Sequence, residues 1–145
     1  MSLPKPHPGL VVRYSYLWHS EHEAGREEGV KDRPCAVVLA TTEADGREIV
    51  TVLPITHSEP KIKELAVEIP AVVKKRLGLD AARSWIMIDE ANRFTWPGPD
   101  LRPARRGERS TVAHGVLPPR LFEVVKARFL AAARLRRARV VKRTE

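Results

Sequence analysis

Apolar residues along the first hundred positions occur in short, partly alternating runs that are typical of β-strands. Five such runs, separated by polar segments with glycine or proline, cover residues 10–18, 34–40, 49–56, 65–69 and 84–89. They are rich in β-branched and aromatic residues, which suit a pleated, half-buried surface. Asp45 and Gly46 give a turn signal between the second and third runs. We therefore predict that these two strands form an antiparallel hairpin.

Two helices are predicted from start and stop signals and from periodicity. Pro70 precedes AVVKKRL and Gly78 follows it, with basic residues in the last turn, so a short helix is expected there. Pro118 and Pro119 open a longer helix, RLFEVVKARFLAAARLRRA. Its apolar residues recur on one face, which we expect to pack against the sheet: Leu121, Phe122, Val125, Phe129, Ala132 and Ala133. The segments 19–32 and 92–103 are predicted to be irregular.

The order of these elements predicts the fold class. The strands follow one another without crossover helices, which favours a mainly β, strongly curved small barrel with helices over a parallel α/β sheet. A length of 145 residues with 43% hydrophobic content is enough for one domain with its own core. Within a single domain spanning 1–145 we expect a proline-rich segment at 1–8, a flexible loop at 104–115 and a basic tail at 137–145.

The distribution of charge along the sequence bears on the partners of the protein, and the lengths of its apolar runs bear on its location. Residues 1–100 carry a net charge of −2 and residues 101–145 a net charge of +10, which together give the overall charge of +8. Clustered cations attract a polyanion or an acidic protein, although a solvated helix end and tail would have the same composition. No apolar run is long enough for a membrane span or a secretory signal, so we expect a cytoplasmic protein.

Cysteine and histidine usage gives little sign of a thiol or metal site. Cys35 is the only cysteine and lies within an apolar strand run, so we predict a buried, inert thiol. The histidines at 7, 19, 22 and 114 do not share a spacing typical of a metal site on one element. We accordingly predict no metal ligands and no cofactor.

Arg33 stands directly before Pro34 and the second strand run. A proline is tolerated at the beginning of a strand, so the guanidinium is expected at the strand's mouth. A charged donor held there suits a phosphate or carboxylate, and it also suits an ordinary surface arginine.

Four segments and their order carry a resemblance to a known family: Gly9 to Val12, Arg33 to Leu39, Leu53 to Thr56 and Gly115 to Pro119. The arrangement resembles the PemK/MazF family of toxins, most specifically through Arg-Pro before one strand and Pro-x-Thr at the end of the next. The resemblance implies a small SH3-like barrel (PemK/MazF/CcdB-like) with an inserted short helix and a C-terminal amphipathic helix. It also implies a homodimer, metal-independent cleavage of single-stranded RNA, and a cognate acidic antitoxin as partner.

The resemblance also implies that Arg33 and Thr56 are the pair on which cleavage depends. Attack of a ribose 2′-hydroxyl on the adjacent phosphate develops charge on phosphoryl oxygens, which a guanidinium and a hydroxyl can stabilise. Arginine stays protonated, so another group must move protons. A histidine side chain exchanges protons near neutral pH, which makes His57 the first candidate for general acid or base; Glu21 and Glu23 are next.

Further residues are predicted to contact the substrate. Trp96 lies in a stiff TWPGPD loop and is a candidate for stacking on a base, with Arg93 and Arg102 flanking it for phosphate contacts. The other two tryptophans, Trp18 and Trp85, are expected in the core. The predicted substrate-binding set comprises Ser58, Glu23, Asp89, Arg93, Trp96 and Arg102. The alternative function is a non-catalytic SH3-like module that binds nucleic acid or an acidic protein.

Overall fold

The sheet is built from many short strands and carries helices at its sides. The computed structural model describes residues 3–27, 29, 31–104, 111–135 and 137–143. Within them the strands are β1 (Leu10–Tyr14), β2 (Arg33–Thr42), β3 (Glu48–Thr56), β4 (Ala66–Glu68), β5 (Trp85–Met87), β6 (Glu90–Thr95), β7 (Leu101–Arg102), β8 (Ala113–Val116) and β9 (Arg139–Lys142). The helices are α1 (His19–Glu23), α2 (Ala71–Arg76) and α3 (Pro119–Arg134), and a single 3₁₀ turn spans Lys63–Leu65. In these described ranges no helix is long and apolar enough to cross a membrane.

β3 organises the sheet because it changes partners along its length. It pairs with β2 on one side, while on the other its first half pairs with β6 and its end with β5. β1 continues the sheet from β2 and pairs with β7 and β8. These pairings are antiparallel, whereas β9 pairs with β6 in parallel. The predicted mainly β, curved architecture with an inserted short helix and a C-terminal helix is confirmed.

The β2–β3 hairpin follows the sequence prediction. Its register runs from Cys35 opposite Pro54 to Thr42 opposite Glu48, with an irregularity between Val37 and Leu39. Gly46 in the connecting turn has a φ of 89°, a conformation that glycine adopts without steric cost.

Alternating residues of β1, β2 and β3 belong to two apolar clusters, one on each face of the sheet. One cluster joins the sheet to the helices and includes Val11, Ala36, Val38, Leu53, Ile55, Val73, Leu77, Val125 and Phe129. The other includes Leu10, Val12, Tyr14, Cys35, Val37, Val50, Val52 and Phe94. A period of two residues therefore assigns the side chains to one cluster or the other, except at the irregularity in β2, where Val38 and Leu39 both face the first cluster.

α3 packs as its periodicity predicts. Val125, Phe129 and Ala132 are buried, and Leu121 and Phe122 are partly buried against the same cluster. Ala133, which was expected on this face, is exposed.

Several segments predicted to be irregular form regular elements instead. The predicted loop 19–32 contains α1, and the first strand ends at Tyr14 rather than at residue 18. The irregular region 92–103 contains most of β6 and all of β7, and the expected loop 104–115 ends in β8, with 105–110 outside the described residues. These short strands depend on long-range pairing, which local sequence patterns do not encode.

The predicted basic tail is partly built into the sheet. β9 lies within 137–145 and buries Val141. Arg143 is 8% exposed, and its guanidinium donates to the Ser15 carbonyl (2.7 Å) and to Asn92 Oδ1 (3.0 Å). It also forms an ion pair with Asp100 at 3.1 Å. The alternative of a solvated tail therefore does not hold for Arg143, because these partners compensate the burial of its charge.

Cys35 is fully buried, and this burial raises the pKa of its thiol. Since the thiolate is the reactive form, we predict that iodoacetamide does not label the native protein at pH 8 within an hour, whereas it labels the guanidinium-unfolded protein in minutes. Mass spectrometry of the alkylated chain measures both rates. Rapid labelling of the native protein would contradict the burial of this thiol.

Candidate functional site

The hairpin register brings Arg33 and Thr56 to the same end of the sheet. Because Cys35 lies opposite Pro54, continuing the register by two residues places Arg33 opposite Thr56. The period of two puts both side chains on the face that Cys35 occupies. Both residues line a cavity of about 530 Å³. Residues 23 positions apart in sequence thus share one site.

Other polar and aromatic side chains line the same cavity. They include Trp18, His57, Ser58, Lys74, Asp80 and His114. Arg13 and Lys31 add positive charge to its wall, and Asp32 adds an acidic group. The predicted residues Arg33, Thr56, His57 and Ser58 are therefore brought together, while Lys74, Asp80 and His114 were missed as site residues by the sequence analysis.

The Arg33 guanidinium is held in place by an aromatic ring. Its central carbon lies 4.8 Å from the centroid of Trp18, at cation–π distance. Trp18 itself contacts Tyr16 edge to face at 5.2 Å. Trp18, which was expected in the core, is partly buried against the second apolar cluster, and it also lines the cavity and supports the arginine. Its position follows from the end of β1 at Tyr14, after which the chain turns into α1.

Arg33 has a buried donor without an acceptor. Its Nε is buried and has no hydrogen-bond partner among the described residues. Buried polar groups are nearly always hydrogen-bonded, and an orphaned donor is costly unless a ligand supplies the acceptor. The donor therefore suits an anionic oxygen in the cavity.

Thr56 ends β3 in a local turn. Its Oγ1 accepts a hydrogen bond from the Ser58 backbone N–H at 3.1 Å. This contact fixes the hydroxyl oxygen, and the described part of the chain offers no acceptor for the hydroxyl hydrogen. Thr56 can therefore donate to a bound group.

His57, Asp80 and Lys74 form a series of three ionisable side chains, each in contact with the next. His57 Nε2 lies 3.1 Å from Asp80 Oδ1 and 2.9 Å from Oδ2. Lys74 Nζ donates to Asp80 Oδ1 at 2.7 Å. The hydrogen bond from Lys74 holds the pKa of the Asp80 carboxyl below its usual range, and the charges of Lys74 and His57 act in the same direction.

The sequence around Lys74 held a signal that could have identified the contact between Lys74, Asp80 and His57. Lys74 is only 4% exposed, and it lies on α2 three residues before the buried Leu77. Residues three apart share a helix face, so a lysine at this position indicates an acidic partner beneath the helix. Asp80 is the first carboxylate after the helix.

Asp89 lies in a neighbouring, more apolar cavity of about 410 Å³. The two cavities share Trp18, Thr56 and Ser58. Partial burial raises the pKa of the Asp89 carboxyl. Asp89 is therefore next to the predicted catalytic pair without lining the same cavity.

The remaining predicted substrate residues lie outside these cavities. Glu23 is exposed and pairs with His19 at 3.6 Å, and Arg93 lies in a separate groove on β6. Trp96 is half-buried and stacks on Phe94 with centroids 6.2 Å apart, so it is not the exposed platform that was expected.

Two more predicted residues lie near the first cavity. Arg102 pairs with Asp32 of the cavity wall at 3.6 Å, which places it at the rim. Glu21, the reserve candidate for proton transfer, accepts a hydrogen bond from the Trp18 backbone N–H at 3.1 Å. Glu21 is thus engaged in starting α1.

Comparison with known families identifies the family of the chain. A family model described as the PemK-like, MazF-like toxin of type II toxin-antitoxin systems matches residues 16–95, more than half of the chain. The match includes Arg33, Thr56, His57 and Asp80, and the fold is consistent with it. No curated protein and no solved structure gave a match. The family is known for RNA-cleaving toxins and implies an antitoxin partner. The chain therefore belongs to the PemK-like, MazF-like family of type II toxins.

Proposed function

We propose that the protein is an endoribonuclease toxin that cleaves single-stranded RNA without a metal ion. The observation that carries the proposal is the buried Arg33 Nε donor, which has no acceptor in the described chain and belongs to a side chain that lines the same cavity as Thr56 and His57. A phosphodiester would supply the acceptor oxygen. Arg13 and Lys31 on the same wall would favour an anionic backbone.

The chemistry follows from these groups. The 2′-oxygen attacks phosphorus, the bond from phosphorus to the 5′-oxygen breaks, and the products are a 2′,3′-cyclic phosphate and a free 5′-hydroxyl. His57 takes the 2′-hydroxyl proton, and His114 in the same cavity is the second imidazole available to protonate the leaving oxygen. Arg33 and Thr56 donate to the phosphoryl oxygens as their charge increases.

The proposal extends to partners and place of action. A protein of net charge +8 suits a cognate acidic antitoxin, because opposite potentials accelerate association. From family membership we also propose that the protein forms a homodimer and that it acts on RNA in the cytoplasm. A monomeric mass at micromolar concentration would contradict the dimer.

Incubation of the purified protein with a long single-stranded RNA in excess EDTA tests the activity. We expect fragments that end in 2′,3′-cyclic phosphate. Intact RNA in the presence of folded protein would overturn the proposal, and steeply salt-dependent binding without cleavage would then support the alternative binding module.

Thr56→Val is expected to lower kcat by about 100-fold, because it keeps the branched shape and removes one donor to the phosphoryl oxygens. The rate of RNA cleavage measures the effect, with circular dichroism as a check of folding. Thr42→Val is the matched control, since Thr42 also ends a strand and is exposed. An undiminished rate in Thr56→Val would remove Thr56 from the mechanism.

A further inference from the structure

We infer that Asp80, held by Lys74, is the positioning residue for His57 and fixes the hydrogen of the neutral imidazole on Nε2. Nδ1 is then the nitrogen that exchanges a proton with the substrate. This inference rests on the proposed function for its catalytic meaning, whereas its structural part concerns the protein without RNA.

The contact defines which nitrogen is the donor. Both Asp80 oxygens lie within 3.1 Å of His57 Nε2. The carboxyl of Asp80 has a lowered pKa, so it is ionised and only accepts hydrogen bonds. Nε2 must therefore carry the hydrogen, and a neutral imidazole has only one. The lone pair of Nδ1 remains for proton transfer.

Asp80 is itself held by two donors besides His57. Lys74 Nζ donates to its Oδ1 at 2.7 Å, and the Ala82 backbone N–H donates to the same oxygen at 3.2 Å. The Lys74 ammonium also donates to Ser84 Oγ at 2.6 Å and to the Ala82 carbonyl. Three donors on the ammonium thus meet three acceptors, which satisfies a charge that is nearly buried.

The helix end places Asp80 beneath Lys74. Gly78 has a φ of 68° and follows α2. The Leu79 N–H bonds to the Lys74 carbonyl and the Gly78 N–H to the Lys75 carbonyl, which is the Schellman pattern for a helix C-terminus. The chain reverses there, so Asp80 returns to the ammonium of Lys74. A helix-ending glycine therefore supports a site residue two positions later.

The sharpest experiment combines nitrogen NMR of His57 with cleavage kinetics. At an alkaline pH, at which imidazole side chains are neutral, we expect His57 to be protonated at Nε2 in the wild type and to be a mixture of both tautomers in Asp80→Ala. In Asp80→Ala we expect kcat to fall by about 10- to 100-fold with KM within about twofold, since a residue that orients another acts on the reaction step rather than on binding. Asp80→Glu, which keeps a carboxylate, should recover part of the rate.

A matched control and a folding safeguard complete the design. Asp45→Ala removes an aspartate that has the same 57% side-chain exposure and an equally short ion pair, at the far hairpin turn, and should change neither readout. If Asp80→Ala does not fold because Lys74 loses its carboxylate, the double variant Lys74→Met with Asp80→Ala removes both charges and gives the same readouts.

The outcomes separate this inference from the proposed function. A wild-type imidazole protonated at Nδ1, or unchanged tautomers in folded Asp80→Ala or in the double variant, would overturn it. Unchanged kcat with the expected tautomers would show that Asp80 has no role in the reaction. Expected tautomers in a wild type that does not cut RNA would overturn the proposed function and support the positioning of His57.

Discussion

Replacing Arg33 with alanine is expected to lower kcat for RNA cleavage by about 1,000-fold, the largest effect on activity that we predict. The guanidinium is the charged donor in the cavity whose Nε lacks an acceptor in the described chain. Its removal leaves the charge that develops on the phosphoryl oxygens without this donor. Single-turnover cleavage of a defined RNA measures the loss.

The fold should tolerate this substitution. The contact that Arg33 makes to Trp18 is a cation–π interaction, worth about 0.5–2 kcal/mol. Arg33→Lys keeps the charge but loses the planar fork, so an intermediate rate is expected. Arg47→Ala is the control for charge, because Arg47 is exposed at the hairpin turn. Equal rates in Arg33→Ala and the wild type would refute the proposed role.

Arg143→Met is expected to lower the free energy of unfolding by about 3–5 kcal/mol, the largest effect on stability. The side chain is 2% exposed and connects β9 to Asp100, Ser15 and Asn92. Methionine fills part of the volume but leaves the buried Asp100 carboxylate without this cation. Urea unfolding followed by circular dichroism measures the change.

Two further variants test the cause of that loss. Lys142→Met removes the adjacent, exposed cation at the end of β9 and should change stability by less than about 0.5 kcal/mol. Asp100→Asn together with Arg143→Met should cost less than the two single changes added, because the pair is then lost as a unit. Additive changes in the free energy of unfolding would show that the loss of stability does not come from the ion pair between Asp100 and Arg143.

The candidate site was only partly predictable. Arg33 and Thr56 were predicted because strand ends are visible in sequence and the order of the Arg-Pro and Pro-x-Thr segments resembles one family. Lys74 and Asp80 were not found, since their roles depend on the reversal of the chain after Gly78 and on the distance to His57. The place of Trp18 in the cavity was missed for a similar reason, because its sequence neighbours do not reveal the turn into α1.

The sequence by itself determined the elements whose signals are local. The β2–β3 hairpin, α2 and α3 follow from a turn dipeptide, from proline and glycine at helix ends and from periodic apolar residues, all of which act over a few positions. Only the tertiary structure decided the rest. β6 through β9 are short strands paired with distant partners, and Arg143 is buried because the sheet brings Asp100 and Asn92 to it. Burying such a polar or charged group costs desolvation free energy, and hydrogen-bond and ion-pair partners far along the chain offset that cost. Composition alone cannot specify which partners will be brought together.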